Sequence, residues 1–240
     1  MRIPKREHMG EQSSISGVWR EALAIIRRYP AAVVVPGAVL GALAEAPTYL
    51  IADRLVLDHL LTYLAAAFAY YLYLAYAEEL TTDYERGDDL IASRSRLARL
   101  IKAASFVPRV LVAALLSVSL ATVATALLVA PGVWLYTRWS LAVPVICKED
   151  MGPVSSLKRS SALVRGHFWF VLGTATLAFV SEETVIHAGA LATGSITGSH
   201  TWGEWVGGSI VAALAIPLAA LTTSVAYSRA ANLSRPVEGT

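Results

Sequence analysis

Long apolar runs alternate with short charged ones along this chain, and the longest run sets the reading. From Val110 to Thr137 no residue is charged, and from Val110 to Cys147 the only charge is Arg138. One helix of that length would reach about 57 Å at ~1.5 Å per residue, against a hydrocarbon core of about 30 Å. The run must therefore fold back. Pro131-Gly132 is the expected turn, because proline lacks the amide that continues a helix and glycine accepts left-handed angles. One span should end near Ala130 and a short one should run from Gly132 to Cys147, with Lys148-Glu149-Asp150 marking the return to water. From Pro153 the period changes. Val154, Leu157, Ser161, Val164 and Phe168 recur at three- and four-residue steps, with Lys158, Arg159 and Arg165 on other faces. This predicts a helix lying in the headgroup layer before the chain turns inward at Phe168-Trp169-Phe170.

The same pattern organises the rest. After a polar start, Ser16 is the expected cap of an amphipathic helix with Val18, Ala22, Ile25, Ile26 and Tyr29 on one face and Arg20, Glu21, Arg27 and Arg28 elsewhere. A first span follows over residues 31–51, bent by Pro36 and Pro47, with Gly37, Gly41 and Glu45 on a stripe where another helix can approach closely. A polar loop holds Asp53, Arg54 and Asp58, and a second span runs from His59 to Ala77, ending at Glu78-Glu79. Residues 81–102 are polar and basic, with Gly87 as a break and Leu90, Leu97 and Ile101 as the apolar face; the third span begins near Ala104. The fifth starts at Phe168 and is uncharged to Ser181, residues 188–203 read as a loop or partly re-entrant segment, and the sixth runs from Trp205 to Tyr227 around Pro217. Three times a basic amphipathic segment precedes two spans, which suggests three units of about 70 residues.

Composition agrees with this layout. At 240 residues, 55% apolar and 16% charged, with a mean hydropathy of +0.54, the chain reads as an all-α polytopic membrane protein of six spans. The expected organisation is a polar tail over residues 1–15, one membrane domain over 16–230 and a second tail over 231–240. Eighteen of the 20 Lys and Arg fall in residues 1–30, 81–109, 148–166 and 229–240, leaving only Arg54 and Arg138. By the positive-inside rule those segments and both termini are cytoplasmic, in a cell membrane. The net charge of +2 is spread among these segments, so no nucleic-acid partner is expected. The single Cys147 leaves no internal disulfide or clustered-cysteine zinc pattern. Met1 to Glu11 has no apolar core, so no cleavable signal peptide is expected there.

Certain residues carry a resemblance. YERGDDL before a basic helix, then APGVWLYTRWSLAVPVICKEDMGPVSSLKRSSALVRGHFWFVLG, then IPLAALTTSVAYSRA, resemble the six-helix family named after the membrane domain of glycerophosphoryl diester phosphodiesterase, and related YciC-like membrane families. The likeness is strongest over Gly87 to Arg229. It implies a six-helix membrane fold. The namesake's catalytic domain is a separate soluble barrel that no part of this chain can form, so the enzyme name does not transfer and no catalytic residue is carried across.

Ionisable groups inside a span are costly and raise a functional question. Glu45, Arg138 and Glu182 all fall in the outer third, which suggests a polar cluster of Glu45, Arg138, Glu182, Glu183 and His187 open to the outside. The competing explanation is an ion pair that only packs helices, or side chains that reach the interface. Glu183 with His187 and His200 with Glu204 stand at i, i+4, a spacing that can present metal ligands. The double glutamate also resembles that of the CPBP intramembrane proteases, but His187 stands where an arginine is expected and the histidine motifs are missing. No metal, cofactor or catalytic residue is therefore expected. Lys158, Arg159, Arg165, Arg27 and Arg28 are the candidate contacts for anionic lipid headgroups. The expected function is a non-enzymatic integral membrane protein acting through lipids, a protein partner or its own oligomer, as a scaffold or accessory subunit. The alternative is a small-solute, ion or lipid transporter or channel using the outer cluster.

Overall fold

A computed structural model describes residues 14–50, 56–87, 96–198 and 202–234, and among them every regular element is a helix. Helix α1 spans Ile15–Arg28 and is capped by Ser14, whose hydroxyl accepts from the Gly17 amide, two residues before the expected Ser16. It buries Val18, Ala22 and Ile25, as the period predicts. The chain then turns by 97° at Tyr29 into α2, Pro30–Leu50. That helix opens on a proline, which is tolerated in the first turn, and runs on as one helix through both Pro36 and Pro47.

Helix α3, Val56–Glu85, does not stop at Glu78-Glu79 but carries its charges two further turns. Gly87 follows with φ of 74°. Helix α4, Arg96–Leu127, joins the described part of the second basic segment to the expected third span without a break. Its facing is the reverse of the expected one. Arg99 is fully buried, whereas Leu97 and Ile101 are 65% and 64% exposed.

The fold-back comes at Leu128, the extended residue between α4 and α5, Val129–Trp139. Pro131 lies in the first turn of α5 rather than at the apex, because the amides there have no partner to lose. Gly132 lets the hairpin close, since a Cβ on it would lie 2.7 Å from the Thr125 Cα. A second break at Ser140-Leu141 leads into α6, Ala142–Glu149, so the stretch expected to be one short span is two helices of 11 and 8 residues.

Asp150 takes a left-handed conformation and turns the chain into α7, Pro153–Arg165. This is the expected helix with a shifted face: Ser156, Leu157, Ser160, Leu163 and Val164 are buried while Val154 is exposed. Helix α8, Phe168–Thr197, is continuous, so residues 188–197 are helical rather than a loop or re-entrant segment. Helix α9, Trp202–Leu233, runs through Pro217.

Helix α9 is the hub. It packs on α8, α2, α3 and α1 and touches α6 and α7. Within their most apolar windows 61% of α9 is buried against 17% of α4. Gly37 and Gly41 on α2 meet Pro217 and Ile216, the close approach expected of that stripe. Among the described residues three helices are long and apolar enough to cross a membrane (α4, α8 and α9), and four if the bent α1–α2 pair forms one span.

Candidate functional site

The expected outer cluster is not assembled by the described residues. Glu182 is buried and faces into the bundle, but Glu183 and His187 are exposed on the other side of α8 and pair with each other at 3.6 Å. Consecutive helical residues point about 100° apart, so the two glutamates cannot share a face. Arg138 stacks on the Trp134 ring at 4.4 Å and has no carboxylate partner among the described residues. The Glu45 side chain and His200 lie outside the described residues. Glu204 packs against Gly194, and no group of three or more metal-ligating side chains occurs among the described residues.

Charge gathers instead at the opposite end of the bundle. The last turns of α3 supply Glu78, Glu79, Asp83 and Glu85, and the start of α4 supplies two cations to meet them. Arg99 Nε bonds Asp83 Oδ2 at 3.0 Å and Lys102 Nζ bonds Glu79 Oε2 at 2.7 Å. Lys148, at the end of α6, lies 3.2 Å from Glu85, 2.9 Å from the Ser228 hydroxyl and 3.9 Å from Glu78. Ser224 of α9 donates to Glu78 at 2.6 Å, and Tyr227 donates to Glu149 at 2.7 Å. Arg159 of α7 reaches the same Glu149 at 3.0 Å, and Arg229 of α9 reaches Glu21 of α1 at 2.8 Å. Six helices are thereby tied by one charged layer. Glu78 sits one residue beyond the apolar run of α3. Burial pushes its carboxyl up to about 7, while the charge of Lys148 and the Ser224 hydrogen bond pull the other way.

This layer floors a basin of about 1800 Å³. Among the described residues seven cationic side chains and four carboxylates line it. Lys102, Lys148, Arg159 and Arg229 are paired, whereas Arg20, Arg28 and Arg86 have no carboxylate partner among the described residues. All five expected headgroup contacts (Lys158, Arg159, Arg165, Arg27 and Arg28) are exposed, but only Arg28 and Arg159 line the basin.

A second, smaller pocket of about 190 Å³ lies between α3, α4, α5, α6, α8 and α9. Glu78 and Glu182 are in its wall together with Tyr70, Tyr71 and Tyr136. Reading the sequence for charges inside spans found Glu182. It missed the charges at helix ends, which look like ordinary boundary residues until the helices are brought together. Comparison with protein-family models, with curated proteins and with solved structures finds no match.

Proposed function

We propose that this chain is a non-enzymatic, six-span integral membrane protein that acts through lipid. In this reading the charged layer faces the cytoplasm, both termini lie on that side, and the basin receives an anionic lipid headgroup. The α5–α6 pair and α2 then count as spans alongside α3, α4, α8 and α9, in keeping with the resemblance to the phosphodiesterase-associated membrane domain. The observation that carries the reading is the excess of cations over carboxylates among the described residues of the basin wall, where Arg20, Arg28 and Arg86 have no carboxylate partner. A basic patch near the headgroup layer attracts anionic lipid by about 1 kcal/mol per cation, or roughly fivefold.

The test is lipid retention. Protein released from nanodiscs of equal phosphatidylcholine and phosphatidylglycerol should keep phosphatidylglycerol in native mass spectra. Replacing Arg20, Arg28 and Arg86 with Gln should weaken that preference about fivefold for each charge removed. Equal retention of both lipids by the parent protein would refute the headgroup reading. The transport alternative is favoured by a different observation, the small pocket around Glu182.

A further inference from the structure

We infer that the small inner pocket is a slot for one acyl chain of a bilayer lipid, admitted past Val118, Tyr136 and Phe179. This inference rests on the membrane reading proposed above, but not on a headgroup in the basin, which is a separate space.

Shape comes first. The wall follows α3 from Tyr70 to Glu78 and α8 from Ala175 to Glu182, so the space is about 10–12 Å long at ~1.5 Å per residue. Its volume is about 190 Å³, which makes it narrow as well as long. A linear guest fits that outline better than a round one. The lining comes next. Ala113 and Ala114 of α4, Ala175 and Ala178 of α8, and Ala219 and Ala220 of α9 give it smooth walls without branches. The polar groups among them are already engaged. Ser117, Ser140 and Thr223 donate to the carbonyls of Ala114, Thr137 and Ala219 in their own helices. Glu78 accepts from Ser224 and pairs with Lys148, while Glu182 interacts with Tyr70 and Tyr136. What the wall offers an incoming molecule is therefore contact rather than charge.

Packing supplies the drive. Lipid tails are as apolar as the alanines, so transfer from the bilayer brings no hydrophobic gain. An unfilled space, however, leaves its lining atoms without partners on one side, and those lost contacts return when a chain enters. Apolar cavities of about 150 Å³ stay dry and take up apolar guests. In a membrane the nearest such guests are the tails themselves. Val118, Tyr136 and Phe179 at the rim are exposed, as is Leu115 beside them on α4. Helix α4 packs chiefly on α5 and α3, and α8 chiefly on α9, which leaves the way in between α4 and α8.

The experiment uses the full chain in nanodiscs of phosphatidylcholine whose acyl chain carries a diazirine near its methyl end. After photolysis, peptide mass spectrometry locates the adducts. They are expected on exposed Leu115, which reports plain contact with lipid, and also on Ala219 or Ala220, which are buried. Ala175→Phe narrows the slot from α8 and should lower the Ala219 and Ala220 adducts at least about fivefold, with Leu115 unchanged. Ala114→Leu narrows it from the other side and carries the same expectation should the first variant fail to fold. Thr176→Phe, on the exposed face of α8, should change nothing. Adducts on Leu115 with none on Ala219 or Ala220 would overturn the inference and leave the membrane reading standing. Undiminished α9 adducts in a folded Ala175→Phe or Ala114→Leu protein would also overturn it. Absence of adducts even on Leu115 would sink the membrane reading and the slot together. Phosphatidylglycerol retention in the basin is a separate measurement that none of these results decides.

Discussion

Arg99 heads the largest side chains that this bundle seals completely, and its near neighbours Leu97 and Ile101 point outward. In water that arrangement would be inverted. In a bilayer the outside is as apolar as any core, so a helix buries its polar stripe and leaves leucines to the lipid. The guanidinium is tied to Asp83, itself almost fully buried, and breaking such a pair leaves an uncompensated charge. Arg99→Ala should therefore lower stability by about 3–5 kcal/mol in reversible denaturation, whereas Leu97→Ala should change it by less than ~0.5 kcal/mol. Comparable losses from the two variants would mean the helix faces the other way. The period of α4 was legible in the sequence, because recurrence tells which residues share a face. Which face looks inward was not, since periodicity carries no sign. The same gap explains Glu182 and Glu183: both were marked as costly charges, and only packing decides that the first is sealed and the second is wet.

At the scale of elements, the α4–α5 hairpin shows how punctuation can be misplaced by a few residues. Proline and glycine announced the reversal, but both lie on its far side. Proline is harmless in the first turn of α5, and Gly132 is required by the neighbouring helix α4 of the hairpin rather than by its own backbone angles. Gly132→Ala should cost about 1–3 kcal/mol through overpacking, with no relief from Thr125→Ala, because the clash reaches the Thr125 backbone. Gly152→Ala is the control: its φ is −74° and nothing lies within 4 Å of the added carbon, so thermal unfolding should be nearly unchanged. Equal effects at the two glycines would remove the close approach as an explanation. Residues 188–197 were misread for a related reason. Gly189 and Gly194 look like loop residues in isolation, yet they admit Val211 and Glu204 of α9 at close range, so small residues there serve helix packing.

At the scale of the whole molecule, charged side chains of α1, α3, α4, α6, α7 and α9 meet at one end of the bundle among the described residues, and orientation becomes a single question. With Cys147 replaced by Ser, Ser155→Cys in α7 and Ser195→Cys near the end of α8 provide exposed reporters at sites on opposite sides in the proposed topology. An impermeant maleimide added to intact cells should label Ser195→Cys, and should reach Ser155→Cys only after lysis. The opposite pattern would invert the proposed topology. The alternation of spans and charges was enough to group these segments, because lipid and water sort them coarsely along the chain. It could not show that the grouped charges interlock into a floor, since that depends on rotation of each helix about its own axis.

The central position of α9 also bears on how the protein is made. Helices emerge in chain order at about 5–20 residues per second, and α9 is synthesised after the other eight described helices. Yet it supplies Ser224 to Glu78, Tyr227 to Glu149 and Arg229 to Glu21, a residue 208 positions earlier. Until it arrives, those acids of α1, α3 and α6 must wait with their water or borrowed partners. In the proposed topology insertion and assembly are thus separate events: the membrane would accept the spans one by one, and the bundle would close only when the last of these helices enters its middle.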